Sequence, residues 1–405
     1  MSRVLITGIS SRWGGPLAQA LERDPSVEAL VGIDTHDPRH ELQRTEFVRV
    51  DTQPALIRRI LVAAGIDTVI DTRLVTDPLL LALQRAREVN VEGTGGILEA
   101  CGGQSSPVRK LVFKSSAQWY GSEAGDPAFF TEEDVRSRPP RAAIERDLVE
   151  AEQAIDAFAA RNPHTTVTVL RFATEIGGQP EGSQAALLGR PLVAGMLGFD
   201  PRCQFIHDDD VIGVLRHAAR TDLPGIYNAA ADGVLTLSEV AALLGKPLLP
   251  LLPPWGADLA LAQLRRVGVA VPLEMLRELR FGRGLDNRRL KASGYVYRYT
   301  SREAVLKLRA QQRLRPLLGS GSVEYRYERE VEDFLRWSPA VHAARERQET
   351  GQPDGYDELS ADEVLSLVGT LEPQAAERLR RYEASGRGRQ PILDALDRRL
   401  RAVQR

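Results

Sequence analysis

The residues of this chain with the clearest chemical potential lie at its start. The apolar run Arg3-Val4-Leu5-Ile6-Thr7 ends in Gly8, and the loop Ile9-Ser10-Ser11-Arg12-Trp13-Gly14-Gly15 leads into a helix expected from about Pro16. A strand that turns on glycine into a helix presents backbone N–H groups and a positive dipole end, which together suit the pyrophosphate of a dinucleotide. Gly8, Ser10, Ser11, Arg12, Trp13 and Gly14 are therefore the candidate cofactor-binding residues. A second apolar run, Ala29-Leu30-Val31-Gly32-Ile33, ends at Asp34, where an acid receives the adenine ribose hydroxyls of NAD. A carboxylate there repels the extra phosphate of NADP, so NAD is the expected cofactor and NADP the less favoured one. The bland alternatives are a turn-forming acid and a plain strand-to-helix turn.

Such residues need a scaffold, and the pattern around them supplies one. Strands are expected at Val4–Ile6, Ala29–Ile33, Phe47–Val50, Thr68–Ile70, Lys110–Phe113 and Thr166–Leu170, with helices such as Pro16–Glu22 and Glu88–Ala100 between them. Alternating strands and helices predict an α/β fold with a doubly wound parallel sheet over about residues 1–177, and ligand at the strands' carboxyl ends. Past Gly177 the alternation weakens, and shorter segments predict a smaller substrate-side lobe over about 178–310. There Asp208-Asp209-Asp210 offers an N-cap to a helix over Val211–Ala219, Gly225–Asn228 reads as a strand, and Thr236 to Glu239 opens another helix. The aliphatic runs Leu248–Pro254 and Ala257–Val267 read equally as substrate wall or as core.

Residues 311–355 read as a connecting segment, with linker composition from Ala344 to Tyr356. Residues 356–405 read as a small helical domain. Ser360 and Glu363 form a capping box, Pro373 starts a second helix carrying Leu379 and Tyr382 and ended by Gly386, and Pro391 starts a third with Leu393, Leu396 and Leu400. Three short helices enclose little interior, so Val364, Leu367, Leu379, Leu393 and Leu396 are expected to dock on the first domain, another copy or a separate protein.

With 405 residues and a formal net charge of -2, the chain has no electrostatic reason to favour nucleic acid. Two cysteines, Cys101 and Cys203, argue against a disulfide framework. The six histidines show no metal spacing, so no metal is expected. No signal-like segment and no apolar stretch of spanning length is present, which predicts a cytoplasmic protein without a membrane partner.

Further motifs follow in order: Asn90-Val91-Glu92-Gly93-Thr94, then Val112 to Gly121 (Val-Phe-Lys-Ser-Ser-Ala-Gln-Trp-Tyr-Gly), Leu170-Arg171-Phe172, Phe205 to Val211 and Gly225-Ile226-Tyr227-Asn228. Their succession resembles the extended short-chain dehydrogenase/reductase superfamily and, within it, the NAD-dependent epimerase/dehydratase family, over roughly residues 1–310. The resemblance implies a Rossmann-like fold, NAD, a small-molecule substrate and a dimer. The family loop Gly-x-x-Gly-x-x-Gly aligns with Gly8, Ser11 and Gly14, which puts a serine side chain where bare backbone normally meets the pyrophosphate. That hydroxyl, or the charge of Arg12, can itself meet phosphate. Asp51 takes the place of the family's adenine-side acid.

The resemblance also implies acid/base chemistry around hydride transfer, by a tyrosine, a lysine one helical turn later and a serine or threonine. Ser116 matches the serine. The stretch from Asp126 to Glu152 holds neither tyrosine nor lysine: the best alignment puts Ala142 and Arg146 at those positions, and sliding the frame by two to match Glu152 puts Ile144 and Leu148 there, a worse match. Arg146 can keep a positive charge near the ribose but is a poor proton donor. Tyr120 is the nearest substitute acid, with packing beside Ser116 as its plainer role. Asp71, Thr72 and Arg73 bring charge to a place where the family is small and apolar; they either rebuild the site or pair with each other. Three functions stay open: a divergent NAD-dependent oxidoreductase or epimerase, a silent dinucleotide-binding sensor, and a scaffold acting through its C-terminal helices.

Overall fold

Apolar residues on both faces of successive strands call for helices on both sides of a sheet, and that is how the chain folds. The computed structural model describes residues 1–177, 183, 187–252, 273–313, 334, 335, 338, 341, 360–369, 371, 373–385 and 388–403. These divide into two compact units, Met1–Arg313 and Leu314–Arg405.

In the first unit the strands are β1 (Ser2–Thr7), β2 (Val27–Asp34), β3 (Glu46–Arg49), β4 (Thr68–Asp71), β5 (Lys110–Ser116), β6 (Thr166–Phe172), β7 (Thr174–Ile176), β8 (Val193–Met196), β9 (Arg202–Cys203), β10 (Phe205–His207), β11 (Gly225–Ala229), β12 (Leu235–Thr236) and β13 (Leu248–Leu252). Seven of them form one sheet in the order β11-β6-β5-β4-β1-β2-β3. Every pairing in it is parallel. The period of two sorts the strand residues cleanly. Val4, Ile6, Ile70, Val112 and Leu170 face a core shared with Leu17 and Leu21 of α1 (Gly14–Glu22). Leu5, Val69, Leu111 and Val169 face the opposite core. It is closed by Ile57 and Leu61 of α2 (Pro54–Ala63), Ile97 of α4 (Thr94–Cys101) and Ile155 and Phe158 of α5 (Ala143–Arg161).

Two expected helix starts are revised. The helix foreseen over Glu88–Ala100 is α3 (Leu83–Arg87), a π-helical turn at Glu88–Gly93, and then α4. A β-carbon on Gly93 would stand 2.5 Å from an Arg73 guanidinium nitrogen, so the arginine uses the missing side chain. The next helix, α6, begins at Asp208 and runs to Arg220, and its N-cap is His207, not an aspartate. Because β10 runs straight into α6, the cap position falls on the last strand residue, whose Nδ1 accepts the Asp209 N–H at 3.1 Å. The three aspartates occupy the first turn, where they suit the dipole.

The lobe is built from α7 (Leu237–Leu244), α8 (Leu273–Phe281), α9 (Arg288–Ala292), α10 (Ser301–Arg313) and the short strand pairs. Thr236 and Glu239 form the capping box of α7. Leu237, Val240, Leu276, Leu279, Val305 and Leu308 form its core. The run Ala257–Val267 lies outside the described residues.

The second unit contains α11 (Ala361–Val368), α12 (Pro373–Ser385) and α13 (Gln390–Val403), with the Ser360/Glu363 capping box in place. Val364, Leu379 and Leu396, expected to need outside cover, pack on one another with Val368, Ala376 and Ile392. Those last three residues supply the facing surface that the spacing of leucines alone did not reveal. Leu367 is exposed. Gly386 and the linker Ala344–Tyr356 lie outside the described residues.

Candidate functional site

The first loop is built by what its glycines lack. Gly8 has φ +80°, and a β-carbon there would come within 2.5 Å of Arg73 Cγ. At Gly14 it would lie 2.1 Å from the Gly8 carbonyl oxygen, a backbone atom that cannot yield. The loop is therefore wound tightly onto the start of α1. Ser11 does not obstruct this winding. Its hydroxyl accepts the Gly14 N–H at 3.0 Å and the Trp13 N–H at 3.3 Å, and lies 3.1 Å from Thr72 Oγ1. It thus caps α1 at the spot where an anion is expected.

Asp34 ends β2 and fixes the loop. One carboxylate oxygen accepts the Ser10 N–H at 3.0 Å and the Ser10 hydroxyl at 2.5 Å, and the other accepts the Thr35 N–H at 2.7 Å. Arg12 departs from its expected role beside phosphate: one guanidinium nitrogen donates to both oxygens of Asp208 at 2.8 Å, and the cation stacks 4.8 Å above Trp13. An opposing carboxylate at that distance spends the charge locally. Asp51 is exposed beyond β3 and accepts the Thr52 N–H at 2.7 Å.

The charges at the end of β4 and just after it pair with each other, the second of the two options open for them. Arg73 donates to Asp71 through Nε at 3.0 Å and a terminal nitrogen at 2.6 Å, and Thr7 donates to the same buried carboxylate at 2.8 Å. Arg73 nevertheless lines the cleft.

On the other side, Ser116 ends β5, accepts the Gln118 N–H at 3.2 Å and lines the cleft. Tyr120 does not reach it. Its ring stacks on Phe130 at 4.6 Å and its hydroxyl donates to Asn228 Oδ1 at 2.9 Å, in a fully buried position. Burial pushes the phenol's pKa up against the pull of the nearby Arg171 cation. The substitute-acid role is therefore corrected to the packing role. Arg146 is exposed and donates to the Arg141 carbonyl at 2.8 Å, and Ala142 is the residue before α5, so neither stands at the cleft. Glu152 identifies the register instead. It accepts the Ser115 hydroxyl and pairs with Arg171 at 2.6 Å, both partners almost fully buried, which ties α5 to β5 and β6. One and two turns before Glu152 on the same face stand Leu148 and Ile144, both buried. In the frame counted back from Glu152, the two positions carry aliphatic side chains.

Between these halves lies a cavity of about 440 Å³ at the carboxyl ends of β4, β5 and β6, whose walls include Ser11, Trp13, Thr72, Ser116, Phe172 and Thr174. Gly8, Ser10, Gly14, Asp34 and Asp51 lie outside its walls. Sequence reasoning passed over Lys114, which also faces it. This lysine is almost wholly buried, 2.5 Å from Glu175 Oε1, with its ammonium 4.9 Å from the Trp13 ring and 5.1 Å from that of Phe172. The available signal was a lysine directly after the apolar run Leu111-Val112-Phe113.

With this geometry in view, four likenesses are informative. The sequence model of the NAD dependent epimerase/dehydratase family matches residues 4–230. The uncharacterized protein Rv0501 of Mycobacterium tuberculosis is 32% identical over 310 residues, covering 74% of this chain and 81% of that protein. Among solved structures, MoeE5 in complex with UDP-glucuronic acid and NAD aligns with TM-score 0.58 at 20% identity, covering 77% of this chain and 99% of that one. The UDP-glucose-4-epimerase of Stenotrophomonas maltophila, with bound NAD and formylated UDP-arabinopyranose, aligns with TM-score 0.59 at 17% identity over 77% and 98%.

Proposed function

The chain belongs to the NAD dependent epimerase/dehydratase family, and from that premise we propose that it binds NAD but lacks the family's tyrosine–lysine proton transfer. The cradle supports the first half. Gly8 and Gly14 leave backbone bare, Ser11 offers a hydroxyl at the N-terminus of α1, and Asp34 ends β2 as an acceptor for ribose hydroxyls. Those residues would hold the pyrophosphate and the adenine ribose, with Asp34 exchanging its Ser10 partner for the sugar. When bound, the nicotinamide supplies hydride transfer.

The observation that carries the second half is the register of α5. One and two turns before Glu152 stand Leu148 and Ile144, and the buried acids beside them are already paired, Glu145 with Arg136 and Asp147 with Arg87. An aliphatic pair neither donates nor accepts a proton, and losing a positioned acid/base costs on the order of two to four decades in rate. Ser116 remains to orient a ligand oxygen. The best reading is a dinucleotide-binding pseudoenzyme that senses its cofactor. The unpaired thiols of Cys101 and Cys203 agree with a reducing compartment such as the cytoplasm. Among the described residues, no helix is long and apolar enough to cross a membrane.

Calorimetric titration with NAD, NADH, NADP and NADPH tests this. NAD(H) is expected to bind more tightly than NADP(H). Equal affinities would remove the role of Asp34, and no binding of any dinucleotide would leave the scaffold reading. Robust NAD-dependent turnover of UDP-glucose that survives Ser116→Ala would sink the silent-site reading.

A further inference from the structure

We propose that the cavity takes a compact apolar molecule bearing one hydroxyl or carbonyl group, and not a nucleotide sugar. The inference rests on the reading above that the neighbouring loop holds a dinucleotide.

The far wall comes from the lobe and is aliphatic and aromatic: Leu187, Leu188, Phe205, Leu237, Met275 and Leu279. Its entrance is of the same character. The segment after β4 puts Leu80 and Leu81 on the cavity wall, while Leu79, Leu80 and Leu83 remain exposed to solvent at 39%, 53% and 50%. Exposed leucines grouped beside a cavity are unusual unless something apolar passes or rests there.

A nucleotide sugar brings a diphosphate, which is held by cations free to form charge-assisted hydrogen bonds. Four of the five cations on this wall already have partners, and the fifth, Arg39, is exposed on the loop after β2. Arg12 faces Asp208, Arg73 faces Asp71, Lys114 faces Glu175, and Arg283 donates to the Gly121 carbonyl at 2.9 Å and to Ser122 Oγ at 3.2 Å. The lobe adds a carboxylate, Glu278, bonded to Thr174 Oγ1 at 3.2 Å, and a carboxylate repels phosphate.

The polar end is small and suited to one oxygen. Ser116 presents its hydroxyl, and Gln118, on the same wall, has a buried amide oxygen that meets no donor among the described residues. A buried acceptor without a donor is costly, and a ligand hydroxyl would satisfy it. A mostly apolar cavity with a few fixed polar groups, within the roughly 300–1,000 Å³ range of small-molecule sites, is the general form of a binding pocket for such a compound.

The full-length protein is titrated with menthol, menthone and UDP-glucose, and separately with NAD. Menthol and menthone are expected to bind at least about tenfold more tightly than UDP-glucose. Gln118→Met should weaken menthol about tenfold and menthone less than about twofold, because only the alcohol donates to the amide oxygen; a merely structural residue would move both alike. Met275→Asp should weaken both probes at least about tenfold while NAD affinity stays within about twofold, which also reports that the sheet is intact. Tighter binding of UDP-glucose overturns the proposal. Binding of NAD with no binding of either probe overturns it too, and leaves the cofactor reading standing. Probe binding without NAD binding sustains the apolar site and removes the cofactor reading.

Discussion

The two sides of the cleft are built on different principles. On the β1–β2 side, recognition rests on backbone: Gly14 has no room for a β-carbon, Gly8 takes a positive φ, and Asp34 holds the Ser10 N–H. On the β5–β6 side, the proposed loss of proton transfer depends on the side chains of α5, where Ile144 and Leu148 are buried outside the cavity's walls. A backbone cradle is hard to lose because it is also the fold. A proton-transfer pair is a surface of two side chains, and on the proposed reading aliphatics in its place would keep the packing satisfied while removing the chemistry.

The largest effect should come from the pair that fixes the register of the second side. Arg171→Met leaves the Glu152 carboxylate buried without its cation, with only the Ser115 hydroxyl beside it. Stability should fall by about 3–5 kcal/mol in denaturant unfolding. A loss below about 1 kcal/mol would mean that α5 is positioned by something else, and the assignment of Ile144 and Leu148 to the lost pair would fall with it.

The first side is tested by Gly14→Ala. The new methyl group meets the Gly8 carbonyl at a distance no contact tolerates, so α1 and the loop must move apart. About 1–3 kcal/mol of stability should be lost. NAD affinity should drop with it, which thermal unfolding and titration on one sample would separate. An alanine variant with wild-type stability and affinity would show that the cradle has slack.

Asp34→Ala is gentler. The sheet does not depend on this carboxylate, but the Ser10 N–H loses its acceptor and a bound ribose would lose charge-assisted hydrogen bonds. NAD binding should weaken by about 1–2 kcal/mol, with NADP gaining relative to NAD. A variant that keeps the full preference for NAD would place the ribose elsewhere.

The sequence made six strands of the sheet legible because most are apolar runs, and each forms within a few residues of its predicted ends, whereas the seventh, β11, was expected in the smaller lobe and pairs instead with β6. Gly8, Ser11, Gly14 and Asp34 were legible because they are neighbours along the chain or stand at fixed offsets from a strand. Contacts between distant residues were not. Lys114 meets Glu175 across 61 positions, and the role of Tyr120 is decided by Asn228, 108 positions away. Ser11 looked like an obstruction because its type was visible and its rotamer was not. The anchor of α5 was hidden for a related reason. Chemical similarity favoured arginine in place of lysine, whereas the anchor is a buried carboxylate whose partners lie on β5 and β6.

The choice between the two frames yields the smallest and most discriminating prediction. In the alignment that pairs Ala142 with Arg146, the guanidinium inherits the task of holding the nicotinamide ribose, and its removal should cost NAD affinity. In the folded chain Arg146 is exposed, donates to the Arg141 carbonyl, and stands two residues away from the buried face marked by Ile144, Leu148 and Glu152. Two residues along a helix is a rotation of about 200°, which carries a side chain to nearly the opposite face. Arg146→Ala should therefore leave both stability and NAD affinity within about 0.5 kcal/mol of wild type, the range of an ordinary surface substitution. A loss of tenfold or more in NAD affinity, with unfolding unchanged, would restore the arginine to the cleft and reverse the register on which the silent-site reading depends.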